Sequence, residues 1–486
     1  MKFKTKIYSI SALGFCLLIL QFAVNRSLWL DEAKLAYSIV DRDFLELLKP
    51  LDSGQMAPIL YLWCTKLFVL IFGSNDLALR VFPFLMSLLS IILLTKLSML
   101  LIKDKTITLV VLLLFCLCPS VIYYSSEVKQ YSTDIMVFLL LLYAYFKTYK
   151  SVKNQLIILS LVGVLAVALS NVSIIVFFIL GLYTLIFKLE KLKLLVFPFT
   201  VWLIAFALYY FTFLYNHPSK DLMQNYWEFA FMPLNPLSID FWLWHKTNTT
   251  LVFTQLLKFP PQLYVYCIII AVYGFGVFNL IKSKNYKLLY LVLVPVLVHL
   301  ILSAFGLYPF YVRIILYQIP LYLITIAFGL SFLVKQLNII VAKQIAVLCF
   351  LFPVAIYTFI NVVKMPYLKE HIKPVYSFVN ANIKPEHQVY VFSGNVDVFD
   401  YYKKIEYINF NNSIVLGEAH HYDYTGHHSQ LKTLKGKVWF VFSHVFSPGK
   451  SGELESNYII DYYKNKATII KQAHHGRCAA YLLDIK

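Results

Sequence analysis

Residues 7–25, IYSISALGFCLLILQFAVN, run directly into residues 26–39, RSLWLDEAKLAYSI. The first stretch has the length of a membrane crossing, about 20 apolar residues. It follows Lys2, Lys4 and Lys6 in the manner of a signal peptide. It has no small-residue cleavage site, however, and runs on into Asn25 and Arg26, so it reads as a retained anchor. The second stretch sets two adjacent carboxylates, Asp31 and Glu32, just beyond that anchor. An ionisable pair at the lip of a membrane segment is expensive to keep there, which makes it a candidate site.

The rest of the chain agrees with a bilayer as main solvent. Of its 486 residues 60% are hydrophobic and 14% charged, whereas a soluble chain is about half apolar and a quarter charged. Spans are predicted near 7–25, 78–101, 107–122, 131–148, 155–170, 172–187, 194–214, 262–281, 288–305, 313–334 and 344–363, about eleven in all. The net charge of +18 is spread as small lysine groups between these runs rather than as one basic face, which argues against nucleic acid and for topology. With the N-terminus in the cytoplasm, Lys103/Lys105, Lys147/Lys150/Lys153, Lys188/Lys191/Lys193, Lys282/Lys284/Lys287 and Lys335/Lys343 all fall inside. Abundant Lys, Asn, Ile, Tyr and Phe point to AT-rich coding and a bacterial inner membrane. Most cysteines (Cys16, Cys116, Cys118, Cys267, Cys349) sit in apolar runs and Cys478 in the polar tail, so no disulfide framework is expected.

Three outer segments remain, 26–77, 123–130 and 215–260. In the first, APILYLWCTKLFVLIFG at 57–73 is marginal for a span and would reverse the lysine pattern, so it reads as an interfacial helix. The third carries four prolines and reads as a loop with interfacial pieces. Beyond residue 363 the pattern changes. HIKPVYSFVNANI (371–383) and ELESNYIIDYYKNK (453–466) look helical, and 389–394, 438–444 and 478–485 look like strands. The expected fold is therefore a polytopic α-helical membrane domain over 1–363, followed by a small extracytoplasmic α/β domain over 364–486. No GxGxxG or P-loop pattern points to a nucleotide.

Apart from Asp31 and Glu32, three features can carry chemistry. In SSEVKQYSTD (125–134), Glu127, Lys129 and Asp134 stand where an outer turn enters a span. Lys129 is placed to meet a lipid phosphate, and Asp134 must be paired, protonated or turned inward. A snorkelling lysine with a local acidic partner is the plainer reading. Arg313 is one of five arginines in a chain that otherwise uses lysine, and its planar fork suits phosphate; an interface anchor is the competing role. Arg80 reads as structural. The histidines of EAHHYDYTGHH (418–428), with His444, His474 and His475, read as a solvated loop rather than a metal site, and His217 and His245 are weaker still.

These motifs resemble the GT-C superfamily, in its dolichyl-phosphate-mannose protein mannosyltransferase-like branch that includes the lipid A aminoarabinose transferases. The resemblance rests on LWLDEAKLAYSI, APILYLWCTKLFVLIFGSNDLALRVFP, SSEVKQYSTD and LYPFYVRIILYQIPLYLI. Asp31-Glu32 matches the family's Asp-Glu pair. The family's Glu-Ala-Arg-Pro-Tyr reads here Glu127-Val128-Lys129-Gln130-Tyr131, which keeps the charge and loses the fork. A His-Pro-Pro-Leu-Tyr segment is replaced by Gln55-Met56-Ala57-Pro58, so that histidine's role does not carry over. The resemblance implies a polyprenyl-phosphate-linked sugar as donor, a lipid, glycan or protein acceptor, and inverting transfer at the outer face. Asp31 would be the general base, with Glu32 and Glu127 supporting it or binding acceptor or metal. Lys129, Tyr131 and Arg313 would hold the donor. Family members differ on metals, so a divalent ion is an optional cofactor.

A transporter or flippase of lipid-linked sugars is the alternative from another class. It expects polar residues at mid-span and broken helices, whereas these spans are nearly clean, with Asp134, Lys96 and His299 as the exceptions. A non-catalytic scaffold displaying the tail would leave the Asp31-Glu32 pair unexplained.

Overall fold

In hydrocarbon every peptide group must find its partner within the protein, and for single segments the helix is the form that does so. The computed structural model describes residues 2–260, 262–364, 368–420, 423–445 and 454–486, and follows that rule up to Lys364. In chain order the helices begin with α1 (Phe3–Ala23), α2 (Leu30–Asp41), α3 (Ile59–Phe72), α4 (Asp76–Leu101) and α5 (Lys105–Cys116). Next come α6 (Pro119–Tyr124), α7 (Tyr131–Phe146), α8 (Val152–Leu169), α9 (Ser173–Phe187), α10 (Leu192–Tyr209), α11 (Lys220–Tyr226) and α12 (Ile239–Leu251). The long helices close with α13 (Leu263–Lys282), α14 (Tyr286–Ala304), α15 (Ile319–Lys335) and α16 (Ile340–Phe359). The tail holds α17 (Lys373–Asn382), β1 (Gln388–Val391), α18 (Val396–Lys404), β2 (Ile414–Leu416), α19 (His428–Leu431), β3 (Gly436–Phe442), α20 (Glu455–Asp461), β4 (Ala467–His475) and β5 (Cys478–Ile485).

The chain divides into two compact units. One comprises Met1–Val24, Met56–Thr65 and Arg80–Pro366, and the other Asn25–Gln55, Lys66–Leu79 and Tyr367–Lys486. Each of the eleven predicted spans contains an apolar helix, though not each is one unbroken helix. Among the described residues eight apolar helical runs are at least 18 residues long, while α5, α7 and α9 are shorter, so the protein is a multi-pass membrane protein. The span expected at 107–122 is broken: α5 stops at Cys116 and α6 starts at Pro119. Proline lacks an N–H and its ring clashes with the carbonyl four residues back, so it opens a helix instead of continuing one. The helix α3 has 14 residues, about 21 Å at 1.5 Å per residue, too short to cross about 30 Å of hydrocarbon.

Helices of the first unit approach closely where side chains are missing. A β-carbon on Gly276 of α13 would stand 1.9 Å from the Thr325 carbonyl oxygen, and one on Gly329 of α15 would stand 1.8 Å from that of Val272. The two helices thus meet backbone to backbone through a glycine on each, the packing that small residues permit in membranes. Gly163 of α8 likewise makes room for the Trp202 indole of α10, whose N–H donates to the Leu159 carbonyl at 2.8 Å.

In the second unit five strands form a sheet in the order β2-β1-β3-β5-β4. Parallel β1 and β3 pair Tyr390 with Phe440, and antiparallel β3 and β5 pair Phe440 with Tyr481. Phe392, Leu431, Val438, Phe442, Ile459 and Tyr463 belong to the core of this sheet domain. The expected α17, β1, β3, α20 and β5 are all present, and α18, β2 and β4 add to them. A cut at 363/364 would give residues 25–55 and 66–79 to the membrane domain, but they cluster with the tail. The reason is the apolar face of α2: Ala33, Leu35, Ala36 and Ile39 are buried, and α2 packs on α18. Ion pairs Lys34–Asp397 (3.8 Å) and Lys404–Asp41 flank that contact.

Gly329→Ala should cost about 1–3 kcal/mol by forcing overpacking between α13 and α15, read as a lower thermal unfolding midpoint in detergent. Gly181→Ala, where an added β-carbon meets nothing within 4 Å, should leave the midpoint unchanged.

Candidate active site

The segment that carries the acid pair is clamped. It begins at Asn25, whose φ of +45° is a left-handed value that asparagine tolerates. The Ser27 N–H and hydroxyl both donate to His371 Nδ1, at 3.0 and 2.9 Å, which leaves the ring proton on Nε2. The Lys373 N–H donates to Ser27 Oγ at 2.9 Å and its ammonium to the Asn25 carbonyl at 2.7 Å. The Leu28 N–H donates to the Tyr402 hydroxyl at 2.8 Å. Asp76 in turn accepts from Tyr401 and Tyr402, at 2.8 and 3.1 Å, and pairs with Lys373 at 2.9 Å.

Within this frame the two acids have different environments. Glu32 is 0% exposed and Arg26 2%. The guanidinium grips the carboxylate with both arms, Nη1 to Oε2 at 2.5 Å and Nη2 to Oε1 at 3.3 Å, the bidentate geometry of a strong charge-assisted pair. Glu32 Oε2 also accepts the Trp29 N–H at 3.4 Å, capping the first turn of α2. Its charge is thus fully engaged. Asp31 is half-buried in the same turn, where the helix dipole favours a carboxylate. Beside it the Trp29 ring carries the Lys369 ammonium on its face and lies 6.4 Å from the His444 ring. His444 Nδ1 is 2.7 Å from Glu370 Oε1.

The other predicted residues belong to the first unit. The turn joining α6 to α7 buries Glu127 and Lys129. It is tightened by a Lys129 N–H bond to the Glu127 carbonyl at 2.7 Å, by Ser125 Oγ on the Ile122 carbonyl at 2.6 Å, and by Gln21 reaching Ser126 at 3.4 Å. Tyr124 lies at the centre of this group. Its ring meets Tyr123 and Tyr131 edge-on, with centroids 5.1 and 5.5 Å away. Burial, and then the negative charge of Glu127, hold its phenol well above the usual tyrosine range, while Arg313 pulls the other way. Glu127 and Arg313 thus act electrostatically on the same phenol that Tyr131 packs against. The Arg313 guanidinium stacks on Trp227 at 4.9 Å, and Tyr311 packs on the same indole at 5.4 Å. Backbone bonds hold that clasp: Phe310 N–H to the Ala230 carbonyl at 3.0 Å and Met232 N–H to Ser303 Oγ at 2.9 Å.

Asp134 does not face lipid; it accepts from Ser170 Oγ at 2.5 Å. Four residues that shape the sites went unassigned in the sequence reading: Arg26, Tyr124, Trp227 and Ser170. Arg26 carried a usable signal, being an arginine six residues before an acid in a lysine-rich chain, while Trp227 is far from Arg313 in sequence. The histidine-rich stretch is only partly a loop. His427, expected to be solvated, is fully buried against Glu455 at 2.6 Å, because the sheet core closes over it; His421 and Tyr422 lie outside the described residues. No group of three or more His, Cys, Asp or Glu is placed to hold a metal ion among the described residues.

Removing one partner of a buried ion pair strands the other charge, at about 3–5 kcal/mol. Arg26→Ala and Glu32→Ala should each destabilise the protein on that scale, whereas Arg26→Met with Glu32→Leu should recover most of the loss. Thermal unfolding of the three variants in detergent measures this; three equal midpoints would remove the pair from the account.

Residues 56–215 match the family model described as dolichyl-phosphate-mannose-protein mannosyltransferase. No curated protein matches the sequence. Among solved structures, ArnT from Cupriavidus metallidurans bound to undecaprenyl phosphate is 13% identical with a TM-score of 0.57, over 98% of this chain and 97% of that one. The same protein in the apo state, also 13% identical, gives 0.53 over 96% of each chain. The archaeal oligosaccharyltransferase AglB from Archaeoglobus fulgidus, in complex with an inhibitory peptide and a dolichol-phosphate, gives 0.51 at 12% identity, over 90% of this chain and 70% of that one. At such identities the likeness speaks for the fold. The chain thus shares the fold of ArnT and AglB, and over residues 56–215 it matches the family model described as dolichyl-phosphate-mannose-protein mannosyltransferase.

Proposed function

We propose that this protein is an inverting glycosyltransferase that moves a sugar from a polyprenyl-phosphate carrier to an acceptor hydroxyl at the outer face of a bacterial inner membrane. The observation that carries the reading is the division of labour in the acid pair. Glu32 is neutralised by Arg26, and Asp31, next to it, is half-exposed on the same clamped turn. Two carboxylates with such different surroundings take different tasks. Asp31 is the base and Glu32 the residue that positions it.

The reaction follows from those roles. The acceptor oxygen attacks the anomeric carbon from the face opposite the phosphate. Its proton passes to Asp31, a new carbon–oxygen bond forms, and the bond to the lipid phosphate breaks with its electron pair on the phosphate oxygen. That phosphate gains negative charge as it leaves. Lys129 as a point charge and Arg313 as a planar fork are the cations suited to receive it. Glu127 and Tyr131, which act with Arg313 on Tyr124, orient the donor. The matches support a lipid-phosphate donor: ArnT was solved with undecaprenyl phosphate and AglB with a dolichol-phosphate. A divalent cation is an auxiliary in this scheme, tested by chelation with EDTA.

The transporter reading loses ground on the ionisable residues Asp134, Lys96 and His299 inside spans. Asp134 is bonded to Ser170, and Lys96 lies over the Tyr143 ring at 5.8 Å. His299 uses both ring nitrogens, on the Tyr317 hydroxyl at 2.9 Å and the Pro309 carbonyl at 3.0 Å. Each serves packing rather than a path.

Asp31→Asn should lower turnover about 10²–10⁴-fold, the usual worth of a general base, with membrane insertion and melting intact. Arg313→Lys should raise the KM for the lipid-linked donor more than it lowers kcat. Radiolabelled donor incubated with purified protein and envelope acceptors measures both. Full activity of Asp31→Asn, or movement of labelled donor across vesicles with its sugar–phosphate bond unbroken, would end the proposal.

A further inference from the structure

The end of the helical unit that carries Lys103, Lys105, Lys335 and Lys343 holds a cavity lined by none of the candidate site residues above. It lies among α5, α15 and α16 and has a volume of about 580 Å³, within the range of small-ligand sites. Its buried walls are apolar, with Val110, Ala327 and Leu330 among them. Its polar lining comes from Thr106, Ser331, Gln344, Lys335 and Lys343, with Asp104 as the one carboxylate among the described lining residues. Asp104 is already engaged. It caps α5 by accepting the Thr106 and Ile107 N–H groups, at 2.8 and 3.3 Å, and its other oxygen is 3.4 Å from the Lys335 ammonium. Two ammonium groups against one carboxylate leave the lining positive.

The surroundings narrow the occupant. Outward-facing side chains of α16, among them Ile340, Val341, Ile345, Leu348 and Phe352, are exposed and apolar, so the cavity opens towards bilayer. A molecule reaching it from there has hydrocarbon tails, and one retained by the lysines has an anionic head. Basic pockets between membrane helices select such lipids. A further cavity, lined by Phe178, Gly181, Phe199, Trp202, Leu203 and Ile301 among others, has only apolar and glycine residues on its walls and offers no such head-group partner.

We infer that Lys335 and Lys343 hold the head group of an anionic phospholipid, phosphatidylglycerol in chemical class, whose acyl chains lie in the crevice between α5, α15 and α16. Native mass spectrometry of the full chain, delipidated in detergent and titrated with phosphatidylglycerol or phosphatidylcholine, tests this without reference to glycosyl transfer. Phosphatidylglycerol should be retained and phosphatidylcholine not. Each lysine removed, as Lys335→Gln or Lys343→Gln, should weaken retention about fivefold, equal to about 1 kcal/mol per lysine. Asp104→Asn, which keeps a capping side chain and removes the competing charge, should strengthen it. Equal retention of phosphatidylglycerol by the wild type and a stably folded Lys335→Gln/Lys343→Gln variant would overturn the inference. So would preferential retention of undecaprenyl phosphate at these lysines.

Discussion

Hydrocarbon supplies no hydrogen bonds, and an unpartnered peptide group within it costs several kcal/mol. That constraint decides the form of the first unit and also the treatment of each polar residue inside it. The Asp134 carboxyl takes a serine hydroxyl from the segment between α8 and α9. Ser132 donates to the Pro83 carbonyl at 3.1 Å, tying α7 to α4. His299 spends one nitrogen on the Pro309 carbonyl, in the stretch that leads to Arg313, and the other on the Tyr317 hydroxyl beyond it. Polar groups that must be satisfied for the fold's sake therefore also fix the backbone before a candidate substrate-binding residue.

The same economy governs the acid pair of the second unit. A buried ion pair roughly offsets its own desolvation, so stability alone is a weak reason to keep one. What remains is geometry. A guanidinium has a single planar orientation in which both arms meet both carboxylate oxygens, and Glu32 is simultaneously bound to the Trp29 N–H. The start of α2 has one arrangement as a result, and Asp31, the next residue, inherits it. A lysine at position 26 would supply the charge without the orientation.

The membrane spans were legible because they depend on composition summed over many residues, a signal that tolerates local irregularity. The break at Pro119 was legible in principle and lost only to the apolar run around it. The tail's buried strands β1 and β3 announced themselves by Val, Tyr, Trp and Phe. The strand β4 did not, because most of its residues are exposed and Lys471 and Gln472 interrupt any alternation. Asp31, Glu32, Glu127 and Arg313 were legible as charges in costly places. Their surroundings were not. Stacking of Arg313 on Trp227, and of α2 on α18, joins segments far apart in the chain, and no period or spacing in one segment reports on the other. The burial of His427 belongs to the same class, since its partner Glu455 lies across the sheet domain.

Lys129 occupies the place where the family motif has arginine, and the consequence depends on what else can grip a phosphate. A lysine ammonium is a compact point charge that meets one oxygen at a time, whereas a guanidinium meets two. In the first unit the Arg313 fork acts on Tyr124, the phenol that Glu127 and Tyr131 also influence. This fork lies against the Trp227 face, which restricts its rotation. Under the proposed chemistry, orientation of the donor phosphate therefore rests on Arg313, and Lys129 contributes charge. The aromatic wall formed by Trp227, Phe229 and Tyr311 is then part of donor recognition through the arginine it holds flat.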